Sequence, residues 1–261
     1  MWKKLLIAIL ALILLLLPLG VRWLHFYEGR YEPAEVARPD LAAIRAPTLE
    51  IESFVDRYAA SPAGTILVDL AHDNRFEMVD LSVLQARLTA RGQKLEAVES
   101  TEELEHQLRY AKALIVISPG TDWTPAEIEQ VQKFVDKGGR LLLVTDPTRY
   151  AVEFDEEDFP ILDEDVPHIN DLASQFGLLF QADYLYNTTD SAGNFRNIKL
   201  TDFGEHSLTE GLDQVAFYAA HSINTEEPPL ISTGGETRSS TSERAETLVV
   251  AVLAADGTVL A

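Results

Sequence analysis

The chain contains no cysteine and few cationic side chains among its 261 residues. Without cysteine it forms no disulfide, offers no thiolate to a metal, accepts no lipoprotein acyl chain and has no thiol nucleophile. Lysine and arginine number 21 against 42 aspartates and glutamates, so the formal net charge is −21. This charge repels phosphate backbones and anionic headgroups, and nucleic acid is not expected as a partner. The length suffices for one large α/β domain or two small ones.

An uncharged apolar run near the N-terminus predicts a membrane helix. Leu5 to Val21 is a run of seventeen residues without a charge, which is long enough to enter a bilayer core. Aromatic residues typical of a membrane interface follow it: Trp23, Phe26 and Tyr27. A cleaved signal peptide has a similar run, but cleavage requires small residues at alternating positions, and bulky and charged residues follow Gly20. We therefore expect a retained membrane anchor over residues 1–27.

The rest of the chain is expected to be a stalk and one folded domain outside the cytoplasm of a prokaryotic cell. Lys3 and Lys4 precede the apolar run, which favours a cytoplasmic N-terminus and a single-pass cell-membrane protein. Residues 28–62 contain four prolines, a composition that predicts a semi-extended stalk. The domain then spans residues 63–261. Because the chain stops within a predicted strand, we expect the sequence to be part of a longer protein or a truncated one.

The first half of this domain alternates apolar runs with helical patterns. The runs predict strands covered on both faces, at residues 65–70, 95–98, 113–117 and 140–144. The clearest helix begins at Thr124-Pro125-Ala126-Glu127, which combines an N-cap, a proline at the first helical position and a reciprocal glutamate. Gly138-Gly139 ends that helix. Strands alternating with helices predict an α/β fold with a doubly wound, mostly parallel sheet.

The second half is less regular. Residues 153–165 hold eight carboxylates in thirteen residues, and their spacing differs from that of a calcium loop. A solvated loop and a weak divalent-cation site both remain open for this segment. A short helix is expected over 170–176, strands over 178–180, 184–186 and 215–218, a mobile polar loop over 232–246, and a hairpin joining 247–254 to 258–261.

Three segments give the chain a family resemblance. They are ILVDLAHDNRF at 66–76, the stretch from Leu114 to Arg149, and EHSLTEGL at 205–212. Together they resemble the glutamine-amidotransferase-like domain of an uncharacterised family of membrane-anchored bacterial and archaeal proteins, related to the accessory component of gliding-motility-type ABC transport systems. The resemblance implies a flavodoxin-like, class I amidotransferase-like fold and a protein partner in a membrane complex.

The resemblance also locates the position where an active amidotransferase has its nucleophile. In active members a cysteine follows the strand that here is 140–144, so the matching positions are Thr145, Asp146 and Pro147. The thiol is missing, and a threonine hydroxyl needs an activating base within hydrogen-bond reach. Pro147 also disfavours the strand-to-helix turn that exposes such a nucleophile. Glutamine hydrolysis by the family's usual mechanism is therefore not expected.

The predicted sheet nevertheless defines a candidate binding edge. Ligands of open parallel sheets lie outside the carboxyl ends of the strands, so the loops after three of these strands are expected to share one rim. The candidate ligand-binding residues on this rim are His72, Asp73, Asn74, Ser118, Asp122, Thr145, Asp146 and Arg149. Each of them also has a structural interpretation, as a helix cap, a turn residue or an ion-pair partner. By residue type, His72, Asp73 and Asp146 could hold a metal, but no metal-ligand spacing supports such a site, and no cofactor or metal is expected.

Two classes of function follow from these observations. The first is a membrane-tethered, non-catalytic module that binds a partner subunit or a polar ligand for an ABC-type transport or envelope complex. The second is a hydrolase that uses His72, Asp73 and Asp146 in place of the missing thiol.

Overall fold

A computed structural model describes residues 2–26 and 62–261, except Glu156 and Glu243. The chain divides into two units, residues 1–57 and 58–261. In the first unit, helix α1 (Trp2–Phe26) is long and apolar enough to cross a membrane. It includes the whole predicted apolar run and has no buried residue. The predicted stalk lies outside the described residues except for Pro62.

The alternating half of the second unit folds as predicted. Its elements are β1 (Gly64–Asp69), α2 (Ser82–Ala90), β2 (Gln93–Val98), α3 (Thr101–Leu108), β3 (Ala111–Ile117), α4 (Pro125–Asp136) and β4 (Arg140–Val144). The four strands pair in parallel in the order β2-β1-β3-β4. The predicted capping box of α4 is present, because Thr124 Oγ1 accepts from the Glu127 amide and Glu127 Oε2 accepts from the Thr124 amide.

The second half adds small strands around this sheet. Its elements are β5 (Ala151–Phe154), β6 (Pro160–Asp163), α5 (Val166–Ala173), β7 (Leu178–Phe180), β8 (Leu185–Tyr186), β9 (Ile198–Leu200), β10 (Asp202–Phe203), β11 (Val215–Phe217), β12 (Ile223–Thr225), β13 (Pro229–Ser232), β14 (Arg238–Ser239), β15 (Val249–Ala254) and β16 (Val259–Leu260). The central sheet has eight strands in the order β10-β13-β15-β16-β4-β3-β1-β2, and β16 pairs in parallel with β4. The predicted hairpin is β15 and β16, which pair antiparallel.

Three predictions for this half need correction. The acidic segment is an antiparallel hairpin in which β5 pairs with β6, and not an irregular loop. Its cross-strand pairs cannot be predicted from amino-acid composition. Helix α5 begins at Val166, four residues before the predicted start, because its apolar side chains pack into the core. The polar segment 232–246 contains β14, which pairs with β8, and Ser239 within it is buried by that pairing.

Alternate side chains of the parallel strands enter two different cores. Leu67 of β1 packs in the cluster that includes α3 and α4, whereas its neighbour Val68 packs in the cluster that includes α2. A third cluster joins β13 and β15 to the small strands β8 and β9. Leu142 of β4 lies on the same face as α2, between that helix and the small strands. The part of the sheet around Leu142, between α2 and the small strands, forms one wall of a pocket.

Candidate functional site

The three predicted loops meet at the carboxyl ends of β1, β3 and β4. The Gly120 amide donates to the His72 carbonyl over 2.8 Å, and the Arg75 amide donates to the Ser118 carbonyl over 2.9 Å. Arg75 Nη1 donates to the carbonyl of Arg149 over 3.1 Å, which connects the third loop. A Cβ at Gly120 would lie 2.7 Å from the Asp73 carbonyl oxygen, so only glycine fits this close approach of two backbones. The predicted rim is therefore one continuous, hydrogen-bonded edge.

His72 is the centre of a buried ionic cluster on this edge. Its Nδ1 lies 3.0 Å from both carboxylate oxygens of Asp69, a fully buried residue at the end of β1. Its Nε2 lies 3.7 Å from Glu127 in the first turn of α4. The imidazole stacks on Trp123 with ring centroids 3.8 Å apart, and His72 is only 2% exposed. The cluster joins the β1 loop to the start of α4 and leaves the histidine little access to solvent.

The electrostatics of this cluster favour the protonated imidazole. Burial alone would lower the pKa of His72, but the hydrogen bond and charge of Asp69, together with the charge of Glu127, outweigh it and raise the pKa above 6.5. Burial would conversely raise the pKa of Glu127, but the hydrogen bonds from Thr124 and the nearby imidazole lower it. Folding therefore favours the protonated form of His72 more than in a free histidine.

This arrangement predicts a stability that declines as the pH rises. A histidine whose pKa is raised by folding stabilises the native state fully below its unfolded pKa, near 6.5, and that contribution is lost as the pH rises through the folded pKa. The difference in unfolding free energy between the wild type and His72→Gln, measured by urea denaturation, should therefore shrink as the pH rises from 6.5 through the folded pKa of His72. A difference that grows with pH would show that the neutral imidazole is the native form.

Several of the other predicted residues bond within the loops of this edge or between them. Asp73 is exposed at a φ of 50°, and Asn74 Nδ2 donates to the Ile117 carbonyl over 2.9 Å. Asp146 Oδ1 accepts from the amide and hydroxyl of Thr148, and its other oxygen lies 3.3 Å from Arg149 Nε. The contacts of Asp146 match its interpretation as a turn residue, whereas Asn74 joins the β1 loop to β3. These contacts leave few free polar groups for a polar ligand on the rim.

Ser118 and Asp122 differ from this pattern. Ser118 is buried at a φ of 39°, and its hydroxyl has no hydrogen-bond partner among the described residues. The Asp122 carboxylate is 80% exposed and lies 2.6 Å from Nδ1 of His168. Asp122 and His168, which lies on α5, are 46 positions apart, and no sequence pattern pairs them.

Further contacts, absent from the sequence-based site, attach the hairpin β5–β6 to the rim. Arg75 Nη1 donates to the Asp163 carbonyl over 2.6 Å, and its Nη2 forms an ion pair with the carboxylate of Asp163. His168 Nε2 lies 3.2 Å from the same carboxylate. The base of the hairpin is therefore fixed at the carboxyl edge of the sheet.

A cavity of about 730 Å³, which we call the edge pocket, opens beside the rim. Of the predicted residues, Thr145, Asp146 and Arg149 line it. Its apolar walls include Phe76, Leu81, Ile117, Leu142, Val144, Leu208, Leu212 and Phe217. Its size is within the range of small-ligand and side-chain pockets, and its lining is mainly apolar. The sequence did not indicate this pocket, because its walls come from nine separate segments between Phe76 and Ala261.

His221 lines the same pocket and is buried between two carboxylates. Its Nε2 lies 3.6 Å from Asp165 and its Nδ1 lies 3.9 Å from Asp183. Neither ring nitrogen has a hydrogen-bond partner among the described residues. Asp165 also accepts from the Asp146 amide over 2.9 Å, which connects this cluster to the rim. Within the described ranges, no group of three or more histidine, aspartate or glutamate side chains is arranged to hold a metal ion.

Comparison with known proteins identifies the fold only. No protein-family model and no curated protein matches the chain. Among solved structures, it is similar to the mmIFT52 N-terminal domain, with 16% identity and a TM-score of 0.56 over 74% of this chain and 86% of that one. It also matches a putative ThuA-like protein from Bacteroides uniformis, with 12% identity and a TM-score of 0.48 over 79% and 84% of the two chains. The chain is thus a mixed α/β protein with a large, mostly parallel central sheet and an N-terminal apolar helix.

Proposed function

We propose that the chain is a membrane-tethered, non-catalytic binding module with an amidotransferase-like domain. Its edge pocket receives an apolar part of a partner subunit in an ABC-type transport or envelope complex, on the extracytoplasmic side of a prokaryotic membrane. The observation behind this proposal is the pocket itself, an apolar cavity of about 730 Å³ at the carboxyl ends of parallel strands. The helix α1 supports the tether, and the strand order β2-β1-β3-β4 supports a flavodoxin-like assignment.

The geometry after β4 supports a non-catalytic role. An active amidotransferase needs a tight strand-to-helix turn there, with the nucleophile at its tip. Here β4 runs into a turn in which Asp146 accepts from Thr148, and the next element is the strand β5. His72, the histidine of the β1 loop, is buried between the carboxylates of Asp69 and Glu127. No thiol stands at the matching position, and His72 is too buried to serve as an accessible base.

Photocross-linking tests the binding role of the edge pocket. A photoreactive residue in place of Leu212, which lines the pocket and is 41% exposed, should form one adduct of defined mass in native membranes. The same residue in place of Leu179, which is similarly exposed and does not line the pocket, serves as the control. Adding Leu142→Trp, which narrows the pocket, should abolish the adduct. A Leu212 adduct that persists in the narrowed variant, or equal adducts from both positions, would argue against the pocket as the binding site.

Ammonia release tests the alternative, a hydrolase, for which the hydrogen bond between His72 and Asp69 is the supporting observation. We expect the full chain in detergent to release no ammonia from glutamine, because acyl transfer without a nucleophile lacks its covalent route. Ammonia release that disappears in both His72→Ala and Asp146→Ala would favour the hydrolase over the binding module.

A further inference from the structure

The hairpin β5–β6 exposes an apolar face that the domain does not cover. Val152 pairs with Leu162 and Phe154 pairs with Pro160, so their side chains share one face. Val152, Phe154 and Leu162 are 52%, 66% and 54% exposed. A two-stranded hairpin alone is at best marginally stable in water, and exposed apolar patches usually mark interaction sites. This hairpin is held at its base by Arg75, while its apolar face is free to contact another molecule.

The hairpin is also strongly acidic. Residues 151–165 contain eight carboxylates and no lysine or arginine. Two hairpins would therefore repel each other if they met face to face. A complementary surface needs an apolar floor and a cationic rim.

The opposite edge of the sheet has such a surface, a cleft of about 1280 Å³ that we call the amino-edge cleft. Its apolar floor includes Ile66, Leu108 and Phe134. Its cationic side chains are Arg91, Arg109, Lys112, Lys133, Lys137 and Arg140, against two glutamates, Glu105 and Glu129. Those glutamates pair with Arg109 and Lys133. Lys137 and Arg140 have no salt-bridge partner in the described part of the chain, which leaves two cations available in a chain of net charge −21.

We propose that the hairpin of one copy of this chain docks in the amino-edge cleft of a second copy. The acidic hairpin with its apolar face is complementary to both the cationic rim and the apolar floor of the cleft. A lipid headgroup would be complementary only to the charge of the cleft. The contact is between copies, because the hairpin and the cleft lie at opposite ends of strands about 20 Å long. Such a head-to-tail contact uses two different surfaces of each copy, so it joins copies into chains or rings rather than into a dimer with one shared, self-complementary face.

Cysteine cross-linking tests the contact, since the chain has no native cysteine. We would place Glu157→Cys on the exposed hairpin and Glu129→Cys on the rim of the cleft, in the full chain in a neutral detergent, and add a short bis-maleimide. The double variant should give a ladder of dimers, trimers and larger species. An equimolar mixture of the two single variants should stop at the dimer, and each single variant alone should stay monomeric. Dimers from Glu157→Cys alone would overturn the proposal, because they require hairpin-to-hairpin contact.

Charge reversal separates the proposed contact from other occupants of the cleft. In the double-cysteine background, Lys137→Glu with Arg140→Glu should reduce the cross-linked fraction by about tenfold, and Phe154→Ser should reduce it as well. Lys94→Glu, an exposed lysine outside the cleft, is the matched control and should leave the ladder unchanged. With Trp2 and Trp23 replaced by phenylalanine, the fluorescence of Trp123 should be the same in all variants, which excludes unfolding.

A ladder that survives the charge reversal would overturn the proposal. The proposal would also be overturned if no ladder formed and the chain bound phosphatidylglycerol vesicles through Lys137 and Arg140. That result would assign the cleft to lipid. The photocross-linking at Leu212 does not depend on either outcome.

Discussion

Replacing Asp69 with alanine should lower the free energy of unfolding by about 3–5 kcal/mol. Asp69 is fully buried, and its carboxylate accepts from His72 Nδ1 and, over 3.2 Å, from the Ala71 amide. Removing it leaves a buried imidazole with only Glu127 for charge compensation and a backbone amide without its acceptor. Globular domains are stable by about 5–15 kcal/mol, so this single change should remove a large fraction of the total.

Trp123 offers a direct measurement of this loss. It stacks on His72 and is 3% exposed, while the other two tryptophans lie in α1. Urea unfolding in a background with Trp2→Phe and Trp23→Phe therefore reports the α/β domain. The double variant Asp69→Ala/His72→Ala should lose less unfolding free energy than the two single variants lose together, because the two side chains stabilise each other. Additive costs would mean that the buried pair is not coupled.

Replacing Asp183 with alanine should have a second large effect, a loss of about 3 kcal/mol. Its carboxylate accepts from the Ser222 amide over 2.9 Å, from the Ser222 hydroxyl over 2.8 Å and from the Ser239 hydroxyl over 2.6 Å. All three residues are buried. Without the carboxylate, these three donors lose their acceptor, and each unsatisfied buried group costs about 1–3 kcal/mol.

Ser239→Ala is the matched control for this prediction. It removes one donor and leaves the other contacts of Asp183 in place, so a cost of about 1 kcal/mol is expected. Hydrogen exchange should locate the effect of Asp183→Ala at β8, β12 and β14, which this carboxylate holds together. Uniform loss of protection across the parallel strands instead would show that Asp183 acts on the whole domain.

Local patterns were sufficient to predict the parallel half of the fold. Apolar runs such as Ala113 to Ile117 and the capping box at Thr124 involve residues within a few positions of one another, and both were confirmed. The topology of parallel strands then implied that the loops at His72, Ser118 and Asp146 share an edge, which the backbone hydrogen bonds of the structure confirm. What these residues bind was not determined by the pattern, since several of their contacts, such as Asn74 with Ile117 and Asp122 with His168, are with residues distant in sequence.

Only the tertiary structure located the pocket and the buried ionic clusters. Arg75 meets Asp163 across 88 positions, and Asp183 meets Ser239 across 56. In the sequence, an isolated aspartate or histidine destined for such a cluster looks the same as one on the surface, because burial depends on how separate layers stack. Composition alone established the net charge, the absence of thiol chemistry and the apolar N-terminal helix, because those properties do not depend on which residues are neighbours in space.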